Sequence, residues 1–246
     1  MYKPNRSFKV LKHQENRTKL EHINVLCWNV AKLSKKNDFL EYLANIVREE
    51  DINFLALQEF KKSLTENINF LNFSYILAPN IETKKNAFGV LSAFKIPCQN
   101  SLALLSNQQE LKFSTHKSAL ICIYKINQNT KLMFVNIHAI NFVPNKIFIQ
   151  ELNNIKKYIK NHEGPLIIAG DFNTWNKQRI LTLENFKKEL MLTKVTYSDN
   201  SSIKKIFSNH LDYIFFKKLK FCYSKALKSE FYSDHNPLIA HFELLN

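Results

Sequence analysis

The chain has 246 residues, 45% of them hydrophobic, with 20 Phe, only 3 Gly and a formal charge of +14. No composition break, flexible linker or internal repeat divides it, so a single domain is expected over 23–246, behind a polar, basic extension at 1–22. The four cysteines form no Cys-x-x-Cys pair and no apolar run approaches the roughly 18 residues of a membrane span, which argues against zinc, redox-dithiol and transmembrane proteins.

In chain order, residues 23–28 read as a strand ending in Asn29, and 37–50 as a helix with Leu40, Leu43, Ala44 and Val47 on one face. Residues 52–57 are a second apolar strand, ending in Gln58-Glu59. Strand-like runs follow an irregular stretch, at 87–94, 119–126 and 131–137, the last running into His138. Residues 145–160 show a helical stripe of Phe148, Leu152, Ile155 and Ile159. The apolar run 165–169 then delivers Gly170, Asp171 and Asn173. A helix at about 179–190 carries Leu183, Phe186 and Leu190, and strands at 211–216, 219–227 and 237–242 close the chain. Long strands with few helices imply two packed mixed sheets with helices outside them, since too few crossovers exist for one parallel sheet.

Strand after strand finishes in a chemically useful residue: Asn29, Glu59, His138, Asp171 with Asn173, then Asp212 heading LDYIFF and Asp234-His235 before the last strand. Strands that share a direction bring such ends to one edge. Glu59 suits Mg²⁺, which takes hard oxygen ligands. Asp171 with Asn173 can orient a water and hold a phosphate oxygen. Asp212 can fix the tautomer of His235, leaving imidazole as base or as donor to a phosphorane. Each motif alone is also a plausible turn or a solvated strand end. Six in order make chance a poor explanation.

The residues CWN (27–29), LQE (57–59), NIHAINF (136–142), AGDFNTW (169–175), LDYIFF (211–216) and SDHNPL (233–238) resemble the ordered signature of the endonuclease/exonuclease/phosphatase superfamily, and phrases similar to KSAL (117–120), VNIHAINF and SDHNPL recur in one of its branches. They are most similar to its bacterial YafD-like branch. The resemblance covers about residues 23–243 and implies a DNase I-like α/β fold, a four-layer α-β-β-α sandwich. It implies Glu59 as principal Mg²⁺ ligand (Mn²⁺ a substitute), with Asn29 and Asp234 close to metal or phosphate. It implies Asp171 positioning or deprotonating the water, Asn173 holding phosphate, His235 with Asp212 as the catalytic pair, and His138 at the site. Lys117 stands where many relatives place an arginine against the phosphate, so the bidentate fork is lost. Which group is base and which stabilises the phosphorane stays open.

Beside the turn, Trp175, Lys177 and Arg179 can stack a base and meet a phosphate, or shield the turn and cover a helix start. The leading expectation is a cytoplasmic, monomeric, Mg²⁺-dependent phosphodiesterase acting on DNA or RNA. Positive charge supports a nucleic-acid partner weakly, because AT-rich coding bias also yields lysine. A phosphoinositide phosphatase or phospholipid phosphodiesterase, taking a lipid headgroup or phosphorylated small molecule, is the first alternative. A nucleic-acid-binding protein with a decayed site is the second, and it is disfavoured because Glu59, Asp171, Asp212, Asp234 and His235 are all retained.

Overall fold

The computed structural model describes residues 4, 7–12, 20–32, 37–65, 70–110, 115–229 and 232–245. In chain order its elements are β1 (Phe8–Val10), β2 (His22–Asn29), α1 (Asn37–Glu49), β3 (Phe54–Ser63), β4 (Ser74–Glu82), β5 (Asn86–Phe94), β6 (Cys98–Leu105), β7 (Ser118–Lys125) and β8 (Lys131–His138). There follow α2 (Asn145–Ile159), β9 (Leu166–Asp171), α3 (Lys177–Glu189), β10 (Thr193–Lys194), β11 (Lys205–Ile206), β12 (Asn209–His210), β13 (Asp212–Lys217), β14 (Leu219–Ala226) and β15 (Leu238–Leu244).

One sheet runs β1-β4-β5-β3-β2-β15-β14 and the other β10-β13-β9-β8-β7-β6, with β11 and β12 forming a separate hairpin. The only parallel ladders among the described strands are β2 with β3 and β8 with β9. Those are the two pairs joined through a helix, α1 and α2, which supply the length a parallel crossover needs.

Strand alternation explains the layers. In β2, Val25 and Cys27 point between the sheets, where they meet Phe54, Ala56, Phe134, Ile167 and Ile214, while Leu26 and Trp28 point outward. That outer face is covered by Phe39, Leu43, Ile46 and Val47 of α1. The second sheet is capped by Phe148, Leu152, Ile155 and Ile159 of α2 with Leu183 and Phe186 of α3. Both faces of the central strands are buried, so they read as continuous apolar runs. This is the α-β-β-α sandwich expected.

Several expectations shift. The segment before residue 23 is not only an extension, because β1 pairs with β4 as an edge strand. Strand β3 does not end at Leu57 but continues to Ser63 through a register shift between Leu57 and Phe60. β4 and β6 are not legible in the sequence. β4 carries Pro79 beside an irregularity, and β6 is an edge strand with most residues half-buried or exposed. Of the four cysteines, whose apolar, strand-like settings in the sequence suggest buried thiols, Cys27 and Cys122 are buried, Cys98 is half-buried and Cys222 exposed.

Candidate active site

The ladders set the site's width. In the second sheet His138 is the register partner of Asp171, and Asp171 that of Asp212, so three titratable side chains stand abreast at the ends of β8, β9 and β13. In the first sheet Asn29 is the register partner of Gln58 at the corresponding edge. A fully buried amide pair ties the two edges together: Gln58 Nε2 donates to Asn136 Oδ1 at 2.8 Å, and Asn136 Nδ2 donates to the carbonyls of Leu57 and Leu91. Buried amides satisfied in this way hold a unique arrangement of the sheets under the site.

Gly170 has a specific reason to be glycine. Any Cβ there would lie 1.9 Å from the Ile137 carbonyl oxygen, and its φ of +155° disfavours a side chain as well. β9 can therefore lie against β8 with His138 and Asp171 in register. Glu59 and Asn173 both sit at positive φ, 54° and 51°. Neither is glycine, and non-glycine residues in this region concentrate at functional sites. At Glu59 the bulge lets Gln58 stay buried between the sheets while the next side chain faces the cleft.

Above these ends lies a cleft of about 610 Å³, lined by Asn29, Glu59, Lys117, His138, Asp171, Asn173, Asp234 and His235 among others. Nearly every residue singled out from the sequence thus arrives in one place. His235 Nδ1 donates to Asp212 Oδ2 at 2.7 Å, and its Nε2 stands 3.9 Å from Asp171 Oδ2. Asp171 Oδ2 also accepts from Asn29 Nδ2 at 3.1 Å, and its Oδ1 from the Asn173 backbone N–H at 2.9 Å. The loop carrying His235 is pinned from beneath, where Trp28 Nε1 donates to the His235 carbonyl and Ser233 Oγ to that of Asn29.

Burial and the Asp212 charge push Asp171 up to about 6, against the pull of His235, Asn173 and Asn29. Burial disfavours a charged His235, yet Asp212, its hydrogen bond and the charges of Asp171 and Asp234 outweigh that and raise it to about 9. Burial and the neighbouring Lys117 hold His138 well below its ordinary value. His138 is therefore neutral, and its Nε2 accepts from Lys117 Nζ at 3.0 Å. The site contains three titratable groups in three different states.

Glu59 has the features of a cation ligand. Its side chain is a quarter exposed, it accepts no hydrogen bond among the described residues, and two ammonium groups hover at 3.5 Å (Lys32) and 4.0 Å (Lys117). Asn29 lines the same cleft, and its carboxamide oxygen, which accepts the Ala31 N–H at 3.1 Å, keeps a second lone pair, so the two residues offer hard oxygens of the kind Mg²⁺ takes with retained waters. Asp171, Asp212 and His235 also lie close enough to enclose an ion. Their mutual bonding and the raised pKa of His235 instead favour a hydrogen-bonded relay, since a metal requires neutral imidazole.

Arg179 and Trp175 depart from the sequence expectation, whereas Asn173 and Asp234 reach the cleft with part of their capacity already engaged. Arg179 does not reach the cleft. It is fully buried, and its guanidinium donates to the carbonyls of Ile140, Asn173 and Val143. Trp175 is half-buried beside it and donates Nε1 to Asn141 Oδ1 at 2.8 Å, so it props the cleft wall instead of lining the cleft. Asn173 lines the cleft, but one of its amide hydrogens already serves the Ala139 carbonyl, leaving the other for a phosphate. Asp234 lies at the rim, two-thirds exposed and paired with Lys204 at 3.0 Å. The sequence reading did not single out Lys32, Glu110, Asn141, Phe142 or Lys204 as site residues, although all line the cleft. Each lies outside the long strands and helices, and although Asn141 and Phe142 belong to the NIHAINF stretch, its histidine is the residue there that announces chemistry.

The model of the endonuclease/exonuclease/phosphatase family matches residues 26–235. The chain is 30% identical to the UPF0294 protein plu0699 of Photorhabdus laumondii over 92% of this chain and 85% of that one. It is 32% identical to a UPF0294 protein of Erwinia tasmaniensis over 90% and 81%. Among solved structures, it superposes on an endonuclease/exonuclease/phosphatase family protein from Leptotrichia buccalis with a TM-score of 0.66 at 20% identity, covering 90% of this chain and all of that one. On the human Nocturnin catalytic domain, solved with a bound sulfate anion, the TM-score is 0.67 at 16% identity, covering 92% and 94%.

Proposed function

Because the chain belongs to the endonuclease/exonuclease/phosphatase family, whose members hydrolyse phosphoesters, we propose that it is a Mg²⁺-dependent phosphodiesterase that cleaves nucleic acid, DNA foremost, by in-line attack of water. The observation that carries this reading is the arrangement on the cleft floor, where Asp212 fixes His235 at 2.7 Å and turns its Nε2 to within 3.9 Å of the buried Asp171 Oδ2, a carboxyl raised to about 6 beside an imidazole raised to about 9. Near neutral pH Asp171 is ionised enough to accept a proton while His235 keeps one to give, the division of labour that acid–base catalysis needs.

Asp171 Oδ2, steadied by Asn29, takes the proton of the attacking water. His235 Nε2, its ring fixed by Asp212, donates to the oxygen on which charge develops. Lys117 and the remaining amide hydrogen of Asn173 hold phosphate oxygens. Mg²⁺ held by Glu59 and Asn29, with Asp234 at the rim, would neutralise phosphate charge when bound.

The choice of nucleic acid rests on Lys32, Lys117, Lys204 and Lys205 lining the same cleft and on the net charge of +14. Two fold neighbours bear consistent names, an AP endonuclease from Leishmania major and the endonuclease domain of TRAS1. The test presents plasmid DNA, an RNA oligonucleotide and a short-chain phosphoinositide with Mg²⁺ or Mn²⁺, against EDTA and the His235→Ala protein. Metal-dependent DNA cleavage lost in that variant is the expected result. Phosphoinositide turnover with inert DNA would move the substrate to lipid headgroups, and silence on all three would point to a binding protein.

A further inference from the structure

Phe142 is out of place by ordinary rules. It is 62% exposed, lines the cleft, and holds a φ of +46°, a region that phenylalanine gains nothing by occupying. Four hydrogen bonds nevertheless fix the backbone at and around it. Arg179 Nη1 donates to the Ile140 carbonyl at 2.9 Å and Nη2 to the Val143 carbonyl at 3.1 Å, so one buried guanidinium grips the chain before and after Phe142. Asn141 Oδ1 accepts both the Phe142 N–H at 2.9 Å and the Trp175 indole N–H at 2.8 Å. The Asn141 N–H is bound in turn by Glu110 Oε1. The guanidinium is itself sandwiched near Phe148 and Trp175, 4.5 and 5.2 Å from their ring centroids. A buried cation, a tryptophan and two polar side chains are thus committed to presenting one aromatic ring to the cleft that contains His138 and Asp171.

We propose that Phe142 is a stacking platform for a nucleobase next to the bound phosphate, and that Arg179, Trp175 and Asn141 are its positioning residues. The proposal rests on the nuclease reading above. An exposed ring beside lysines and a phosphate site is the combination by which single-stranded nucleic acid is held without a base code, since every base has a π-face and the cations track the backbone. A held loop favours this over insertion into a bilayer, because stacking gains from a ring fixed in advance.

The test measures binding by fluorescence anisotropy in a His235→Ala background, so that the probe survives. The probes are a single-stranded DNA oligonucleotide and a base-free tetrahydrofuran-phosphate chain of equal length. The parent should bind DNA more tightly than the base-free chain. Phe142→Ala should weaken DNA binding by about 5- to 150-fold, the range for loss of one base–aromatic stack, and narrow the gap between the probes, whereas Phe142→Trp should keep it. Phe142→Asn, which tolerates the left-handed backbone, should lose the same affinity while melting no lower than the parent. DNA affinity unchanged in Phe142→Ala, or lost equally for both probes, would overturn stacking while leaving the nuclease reading intact. A parent that binds neither probe would remove both together. Loss of binding to anionic vesicles, with DNA affinity unmoved, would assign the ring to a membrane instead.

Discussion

Replacing Asp212 with Asn tests the mechanism at its most constrained bond. Asp212 is buried, and its Oδ2 lies 2.7 Å from His235 Nδ1. Its charge and hydrogen bond are the main influences that lift His235 to about 9 against burial. Asparagine keeps the shape and removes the charge, so burial then acts almost unopposed and the imidazole should titrate at or below its ordinary value near 6.5. At pH 7.5 the donor form would fall from nearly all of the enzyme to about a tenth, and a carboxamide that presents its N–H would also favour the wrong tautomer. Together these should lower kcat by roughly 10²- to 10⁴-fold. The diagnostic is the shape of the pH–rate profile on plasmid DNA. The alkaline limb of kcat/KM, near pH 9 in the parent, should move to pH 7 or below, and the variant should recover relative to the parent toward pH 6. The same loss of Asp212's charge should let Asp171 fall from about 6 and shift the acid limb down. A variant uniformly slowed, with both limbs unmoved, would refute the assignment of His235 as the proton donor.

Four further outcomes follow from the structure. Glu59→Ala should abolish activity at ordinary Mg²⁺ and weaken Mg²⁺ binding in calorimetry at least tenfold; unchanged metal affinity would remove Glu59 from the ligand set. Arg179→Met strips three buried carbonyls of their donor, at about 1–3 kcal/mol each before relaxation, so urea unfolding should register a loss on the order of 3–5 kcal/mol; a change below about 1 kcal/mol would contradict the clamp. Gly170→Ala drives a Cβ into the Ile137 carbonyl and should destabilise the fold and misplace Asp171 against His138, visible as a lower melting temperature with reduced kcat. Because folding raises the pKa of His235, its contribution to stability is fully present below about pH 6.5 and is lost as pH rises through about 9; that alkaline decline should vanish in His235→Ala, and a decline identical in both proteins would place its source elsewhere.

What the sequence made legible, and what it hid, divides along one physical line. Strand ends are local: an apolar run followed by a polar residue shows where a strand delivers chemistry, and the shared direction of β2 with β3 and of β8 with β9 gathers those ends at one edge. Asn29, His138, Asp171, Asp212 and His235 could therefore be chosen without coordinates, and so could Glu59, which closes the apolar run although β3 continues past it through a bulge to Ser63. The wall of the cleft is not local. Arg179 reads as a helix-start cation because nothing in its neighbourhood announces that its side chain turns inward, to carbonyls more than 30 residues away in sequence. Trp175 misleads for the same reason, since its partner Asn141 lies 34 residues back. Trp175 and Arg179, which signal by residue type, thus support the wall, and Phe142, an apolar residue at the close of NIHAINF whose histidine draws the notice, is the one that faces the cleft. Reactive groups must be polar and so stand out against a core, whereas a surface that recognises a base can be built from the same ring that fills the interior. Only its exposure and its backbone conformation tell the two apart, and both are properties of the fold.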